Sequence, residues 1–441
     1  MSNLHHFIGI KGSGMSSLAL ISKSLGYDVQ GSDVDNYIFT QKALIEAEIP
    51  VLSFSKENIK DDMTIIIGNS FDERNIEVQA VVSNKTLTVY RYYEFLAKIM
   101  KEHVSISVAG SHGKTTTTGM LTKLLSAMKP TGYLIGDGTG LLKEDSDYFV
   151  VESCEYKDTF LNYSPDYAII TNIDLDHVDY FKSMEQYVNS FQTFIYQVKK
   201  GVVLCGDDPY LKDIKTNELE RLTYGIDEDN DVKAINIIEE NHQTQFELLV
   251  RNESWGSITL DFVGRHNVLN MLASIAMAIM LGESREMILE HIPDFKGQHR
   301  RFIVEDFGDY VYIDDYAHHP TEISLTIEAA RTRFKNKKIV CVYKPDRLSR
   351  AEFFEKEFKD SLNLADVAYM THFYSGARAV EDLDYDIYDF QKALDNVEIL
   401  EENEQGAQIL AKEGPAVYLF VSTKDVYLFK DMLKQQQIPQ L

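Results

Sequence analysis

Val104-Ser105-Ile106-Ser107-Val108-Ala109-Gly110-Ser111-His112-Gly113-Lys114-Thr115-Thr116-Thr117-Thr118-Gly119 decides how the chain reads. A β-branched run enters Gly-x-x-Gly-Lys-Thr, and a helix-like stretch follows. In such a strand–loop–helix unit, backbone N–H groups cradle phosphate oxygens, Lys114 reaches the β/γ-phosphates and the Thr115 hydroxyl faces Mg²⁺. Gly110, Ser111, His112, Gly113, Lys114, Thr115 and Thr116 are therefore the candidate ATP-binding residues. The loop is two residues shorter than the common Gly-x-x-x-x-Gly-Lys form, because position 108 is valine.

Downstream, two more strand-like runs end in polar side chains, where α/β folds collect their sites. Glu152 ends Tyr148 to Val151, and Thr171-Asn172-Ile173-Asp174-Leu175-Asp176-His177 follows Ala168 to Ile170. Thr115, Glu152 and His177 are the metal-ligand candidates, in place of a Walker-B aspartate. Glu155, Asp174 and Asp176 are expected to be solvated loop charges.

Upstream lies a second glycine loop, Phe7-Ile8-Gly9-Ile10-Lys11-Gly12-Ser13-Gly14-Met15. It runs from a strand into a helix, and glycines there permit close approach to phosphate at a helix N-terminus. The next strand ends at Gly31-Ser32-Asp33, an acidic residue at a distance that suits a ribose hydroxyl. A diphosphate-containing nucleotide fits. The spacing Gly-x-x-Gly-x-Gly differs from the dinucleotide Gly-x-Gly-x-x-Gly, which weighs against NAD without removing it.

Alternation of short β-branched runs with helix-like stretches predicts parallel α/β sheets throughout. The texture changes at Thr244 to Val250 and Ser257 to Phe262, two alternating runs joined at Asn252 to Ser254. These predict an antiparallel hairpin on the middle unit, followed by a long helix from Asn267 to about Leu281. A third unit restarts near Arg301, with strands expected at Tyr310 to Ile313, Lys338 to Tyr343, Val367 to Met370, Val397 to Leu400 and Val417 to Val421. The expected organisation is three α/β domains over 1–98, 99–300 and 301–441.

The 441 residues carry 44 Lys+Arg against 69 Asp+Glu, a formal charge of −25. That balance disfavours nucleic-acid backbones and anionic membranes, both of which select positive surfaces. Cys154, Cys205 and Cys341 are too few and scattered for a disulfide framework and read as reduced thiols. The N-terminus lacks a signal pattern, and the longest apolar stretch, Leu269 to Leu281, is too short to span a bilayer. A cytoplasmic protein is expected.

The two glycine loops resemble the Mur ligase family. Also carrying the resemblance are Leu134-Ile135-Gly136-Asp137-Gly138-Thr139-Gly140, Thr171 to His177, Gly264-Arg265-His266-Asn267-Val268-Leu269-Asn270, Arg300-Arg301-Phe302 and Asp314-Asp315-Tyr316-Ala317-His318-His319-Pro320. It covers essentially the whole chain. It implies a Rossmann-like first domain for UDP-N-acetylmuramate, a P-loop ATPase in the middle and a Rossmann-like C-terminal domain for L-alanine. The implied activity is ATP-dependent ligation of L-alanine to the lactyl carboxylate of UDP-N-acetylmuramate through an acyl phosphate.

Carried over residue by residue, Gly12, Ser13, Gly14, Ser32 and Asp33 would hold the UDP moiety. Asn267 and Asn270 would touch ATP, and Arg301 would reach its γ-phosphate. Glu152 and His177 would hold a second Mg²⁺. Tyr316, His318, Arg347 and Arg350 would line the amino-acid site. His318, or His319 beside it, could take the amine proton or orient the substrate. The plainer reading of the His-His-Pro segment is packing at a helix start.

The third domain departs from the family pattern. The family's Gln-Pro-His-x-x-Ser/Thr-Arg appears as Lys344-Pro345-Asp346-Arg347-Leu348-Ser349-Arg350, and its Gly-Ala-Gly-Asp loop as Ser422-Thr423-Lys424-Asp425. Two other readings therefore stay open: a family member using another amino acid or joining a peptide to muropeptide, and a degenerate member that binds UDP-sugar without ligating.

Overall fold

The computed structural model describes residues 3–227, 229–240, 242–292, 302–373, 381, 383–424 and 426–438. Three sheets follow one another along the chain. The first has five parallel strands in the spatial order Val51–Ser53, Asp28–Asp33, Leu4–Ile8, Thr64–Ile67, Thr88–Arg91. Strand order reverses beside Leu4–Ile8, so the first glycine loop leaves the sheet where a crevice opens. Gly9 takes φ +83°, and a Cβ there would fall 2.0 Å from the Phe71 ring.

The second sheet has ten strands. Its parallel centre runs Gly201–Cys205, Tyr167–Ile170, Val104–Ala109, Tyr148–Glu152, Thr131–Leu134. Val104–Ala109 lies between the two strands that lead to Glu152 and to Thr171–His177. Register places Glu152 across from Val108 and Ile170 across from Ala109, so all three loops leave the sheet at one level. The flanking helices Lys114–Ser126 and Arg265–Met280 bury their apolar faces against this sheet. The second begins two residues before the expected Asn267.

The antiparallel patch is larger than expected and continuous with this sheet. Val232–Glu240, Gln243–Val250 and Glu253–Leu260 pair in succession. The hairpin turn falls at Arg251-Asn252, not at Asn252 to Ser254. Both turn residues have positive φ, +49° and +65°, which matches the right-handed twist of a two-residue hairpin. The polar residues of Glu253–Leu260 hid its start, because five of its eight positions are exposed.

The third sheet orders its strands Ile303–Phe307, Tyr310–Asp315, Val417–Val421, Ile339–Tyr343, Val367–Met370, Glu398–Ile399. The sequence reading missed the first of these, an antiparallel edge strand. Asp315, Val421 and Tyr343 stand in register. Hence Tyr316–His318, Ser422–Lys424 and Lys344–Arg350 all emerge from the same end of the sheet. The three cysteines are free thiols. Among the described residues no helix is long and apolar enough to cross a membrane.

Candidate active site between the central and C-terminal sheets

The phosphate loop is locked by its neighbours. Gly110 has φ +134°, and a Cβ on it would sit 2.0 Å from Thr171 Oγ1; Gly113 has φ +79° and lies against Asn270 Oδ1, 2.7 Å from a Cβ. Side chains are excluded at both points, and between them the Ser111 and His112 N–H groups donate to the Asn172 carbonyl and Oδ1 at 3.1 and 2.9 Å. We expect Gly110→Ala to lower unfolding free energy by about 1–3 kcal/mol through backbone strain, plus the collision with Thr171. Gly256→Ala is the comparison: its φ is +108°, yet nothing lies within 4 Å of its Cβ position. Urea unfolding should show the larger loss at Gly110, and equal losses would deny the collision.

Lys114 Nζ donates to the Gly110 and Ser111 carbonyls at 2.5 and 2.8 Å and pairs with Glu155 Oε2 at 3.0 Å. Burial alone would raise the Glu155 carboxyl, but the Lys114 ammonium and His177 hold it below its usual range. Thr115 Oγ1 donates to Glu152 Oε1 at 2.9 Å, and Glu152 Oε2 accepts the Gly136 N–H at 2.6 Å. His177 has φ +54°, its Nε2 is 3.4 Å from Glu155 Oε1, and its buried Nδ1 has no hydrogen-bond partner. The Thr115 hydroxyl and the Glu152 carboxylate line one cavity together with His177, and these two oxygen groups fit the requirements of Mg²⁺ beside phosphate.

That cavity, of about 200 Å³, also receives Tyr316, His318, Arg347, Arg350, Thr423 and Lys424 from the C-terminal sheet. A second cavity of about 360 Å³ adjoins it at Gly113 and is lined by His112, Thr116, His266, Asn267, Asn270 and Asp315, among others. Its size suits a nucleoside. Asn270 Oδ1 accepts the Thr117 hydroxyl at 3.1 Å, and Asn267 Nδ2 donates to the Val263 carbonyl at 3.0 Å. Asp315 was not singled out from sequence; its place at the end of a parallel strand was the available signal.

Of the three charges expected to be solvated, two are buried, and Asp174, with its side chain 37% exposed, is paired. Glu155 and Asp176 are 1% and 3% exposed, and Asp174 accepts from His112 Nε2 at 2.9 Å. Each answers a cation that the loops bring in from another element. Asp176 Oδ1 takes Arg350 Nε and Nη2, both at 3.0 Å, and Asp346 Oδ1 takes Arg350 Nη1 at 2.7 Å. Burial opposes ionisation at both aspartates, but the Arg350 guanidinium holds each well below the usual carboxylate range. Thr423 Oγ1 donates to Asp346 Oδ2 at 2.9 Å, so the two departures from the family pattern touch one another. Arg347 pairs with Asp179 at 2.8 Å and lies over the Tyr156 ring, 4.8 Å from its centroid.

His318 and His319 divide the two readings of their segment. His319 caps the helix Pro320–Arg333, and burial together with the nearby His112 charge lowers its pKa to about 4. His318 lines the smaller cavity, with Nδ1 3.0 Å from the Tyr316 carbonyl and 3.1 Å from Glu322 Oε2. Across the same gap, burial would lower the His112 pKa, but Asp174 and Glu322 raise it to about 9.

The first loop stands apart from these cavities. Gly12, Ser13 and Gly14 open the helix Ser13–Ser24. The hydroxyl of the fully buried Ser32 donates to Glu77, and Asp33 accepts the Lys11 and Val34 N–H groups at 2.7 and 2.8 Å. In this structure both therefore hold the loop in shape. Ser16 and Ser17 of the same helix donate to the Gly138 and Ile135 carbonyls, both at 2.9 Å, binding the first sheet to the 134–140 loop. Arg301 lies outside the described residues.

Comparisons with known proteins agree with this architecture. Residues 5–104 match the model of the Mur ligase family catalytic domain, 108–278 the Mur ligase middle domain and 299–422 the Mur ligase glutamate ligase domain. UDP-N-acetylmuramate–alanine ligase of Thermotoga maritima is similar over 99% of both chains, at 26% identity and a TM-score of 0.81. UDP-N-acetylmuramate:L-alanyl-γ-D-glutamyl-meso-diaminopimelate ligase of Neisseria meningitides is similar at 28% identity and a TM-score of 0.59, over 68% of this chain and 100% of that one. A murein peptide ligase of Psychrobacter arcticus shares the fold over 99% of both chains, at 22% identity and a TM-score of 0.73. With its phosphate loop set between two α/β sheets and three successive family models covering most of its length, the chain belongs to the Mur ligase family.

Proposed function

We propose that the protein is an ATP-dependent ligase that joins L-alanine to the lactyl carboxylate of UDP-N-acetylmuramate in peptidoglycan precursor synthesis, in the cytoplasm. The observation that carries this reading is one cavity in which Lys114, Thr115 and Glu152 face Tyr316, His318, Arg347 and Arg350. A lactyl carboxylate is a poor electrophile, so it must first accept the γ-phosphoryl group of ATP and become an acyl phosphate. Lys114 and the N-terminus of the helix Lys114–Ser126 stabilise the charge that spreads over the phosphoryl oxygens. Bound Mg²⁺, held by Thr115, Glu152 and His177, would supply further positive charge at those oxygens. Asn267 and Asn270 position the nucleoside in the adjoining cavity, and Arg301 is assigned to the γ-phosphate.

The amine then attacks the acyl carbon and phosphate leaves. His318, its Nδ1 fixed by Tyr316 and Glu322, accepts the amine proton or orients the amine. Gly12, Ser13 and Gly14 are assigned to the UDP moiety, together with Ser32 and Asp33 as residues that shape its loop. The domain limits proposed are 1–98, 99–300 and 301–441.

The experiment is phosphate release with ATP, Mg²⁺ and UDP-N-acetylmuramate against a panel of amino acids. Release is expected only when an amino acid is present, with L-alanine fastest. Faster release with serine or glycine would change the substrate, and none with any amino acid would sink the ligase reading.

One observation favours a second acceptor. Arg347 and Arg350, expected to capture the amino-acid carboxylate, are both already paired with aspartates. A peptide acceptor offers its carboxylate further from the reacting amine. Tripeptide belongs in the same panel, offered with UDP-N-acetylmuramate and with UDP-free muropeptide, and faster release with tripeptide than with L-alanine would establish that reading.

A further inference from the structure

His112, Asp174 and His319 place one donor atom each within 4.8 Å of one another. His112 Nε2 is 2.9 Å from Asp174 Oδ2, and His319 Nδ1 is 3.7 Å from the same oxygen. Donors around tetrahedral Zn²⁺ stand about 3.3–3.5 Å apart, given bonds of roughly 2.0–2.1 Å. Release to solvent of the proton that His112 Nε2 donates to Asp174, with shifts of about an ångström, would convert the cluster into a coordination sphere. We propose that His112, Asp174 and His319 form a transition-metal site that clasps the phosphate loop to the C-terminal sheet, selecting Zn²⁺ or Co²⁺ over Mg²⁺.

The outer contacts of such a site are already built. A metal-bound imidazole is normally oriented by a carboxylate on its other nitrogen. Here Glu322 Oε1 lies 3.3 Å from His112 Nδ1. The Thr321 hydroxyl donates to Asp174 Oδ2 at 2.7 Å and fixes the carboxylate. His319 is 2% exposed, yet its Nε2 has no hydrogen-bond partner and its Nδ1 receives only a long contact, 3.4 Å, from the Thr321 N–H. Two imidazoles and one carboxylate suit Zn²⁺, Co²⁺ or Ni²⁺, whereas Mg²⁺ selects an oxygen shell. The site is separate from Thr115, Glu152 and His177, which line the other cavity. Because His112 belongs to the phosphate loop and His319 caps a helix of the C-terminal sheet, an ion there fastens the two together.

Titration of the full chain with Co²⁺, in excess Mg²⁺ and without nucleotide, tests this by visible absorption. One equivalent should produce the intense band of a four-coordinate ion, and Zn²⁺ should abolish it. Asp174→Asn and His319→Gln should each weaken binding at least about tenfold, and Glu322→Gln by about 10- to 100-fold. His177→Ala should leave it unchanged. His319 also caps a helix, so circular dichroism accompanies that variant, and Asp174→Asn decides if it fails to fold. Absence of the band in the wild type, or its loss in His177→Ala with retention in Asp174→Asn, would overturn the proposal. No substrate enters the measurement, so its outcome is independent of the ligase reading.

Discussion

Lys114→Met is expected to cut amino-acid-dependent phosphate release by at least about 10²–10³-fold, the usual cost of removing one preorganised donor to a developing charge. It should also cost stability. Lys114 and Glu155 are a buried pair, with the Glu155 side chain 1% exposed. Removing one member of such a pair leaves an uncompensated charge, at about 3–5 kcal/mol. The discount for solvent is small here, since the lysine side chain is only 15% exposed. The double variant Lys114→Met/Glu155→Gln separates the two effects. It should recover most of the stability by urea unfolding and none of the activity. A single variant that loses activity at unchanged stability would mean that Glu155 finds another partner, with His177 the nearest candidate.

Arg350→Met should destabilise by a similar amount, about 3–5 kcal/mol, because it strands both Asp176 and Asp346. Arg350 and Asp176 have side chains 4% and 5% exposed and come from different sheets. The loss should therefore appear first as loosening between the central and C-terminal sheets, seen as amide exchange at 174–179 and 346–350. Both aspartates have folded pKa values below the unfolded value of about 3.9. Their contribution is fully present above that unfolded value and is lost as pH falls through the depressed folded values. The wild type should thus keep this stability down to about pH 4, whereas the stranded carboxyls of Arg350→Met, left with burial and without the guanidinium, take up protons above their unfolded value, so the gap between the two begins to narrow above pH 4 and goes on narrowing below it. A gap that stays constant down to about pH 3 would deny that the two carboxylates are stranded.

The phosphate loop and the positions of Glu152 and His177 were legible because a parallel sheet leaves little choice. Loops following adjacent strands must leave at one edge, and polar residues at those strand ends collect there. Tyr316, His318, Arg347 and Arg350 came from the family resemblance, and the register of the third sheet gives the reason their loops leave at one end. The partners of these cations were not legible. Asp176 lies 174 positions from Arg350, and no local periodicity links them. Glu155, Asp174 and Asp176 read as solvated loop residues because burial of a loop charge depends on which cation another element delivers. Ser32 and Asp33 illustrate the converse, since a strand-end acid that suits a ribose also suits two backbone amides. The edge strand Ile303–Phe307 and the start of Glu253–Leu260 escaped notice because exposed strands carry little apolar alternation.

The two serine bonds from the helix of the first glycine loop have a mechanical meaning. Ser17 and Ser16 grip the carbonyls of Ile135 and Gly138, and the amide between them, Gly136, steadies Glu152. Gly140 leaves no slack, since a Cβ there would lie 2.4 Å from the Ser17 carbonyl. The loop is a short crank with one end on the helix Ser13–Ser24 and the other on the carboxylate beside the glycine loop over 110–113. Rocking of that helix by an ångström would turn the crank and carry Glu152 off its mark, and misplacements of that size cost about 10²-fold in rate. The position of that helix and the placement of Glu152 are geared to each other through the loop over 135–140.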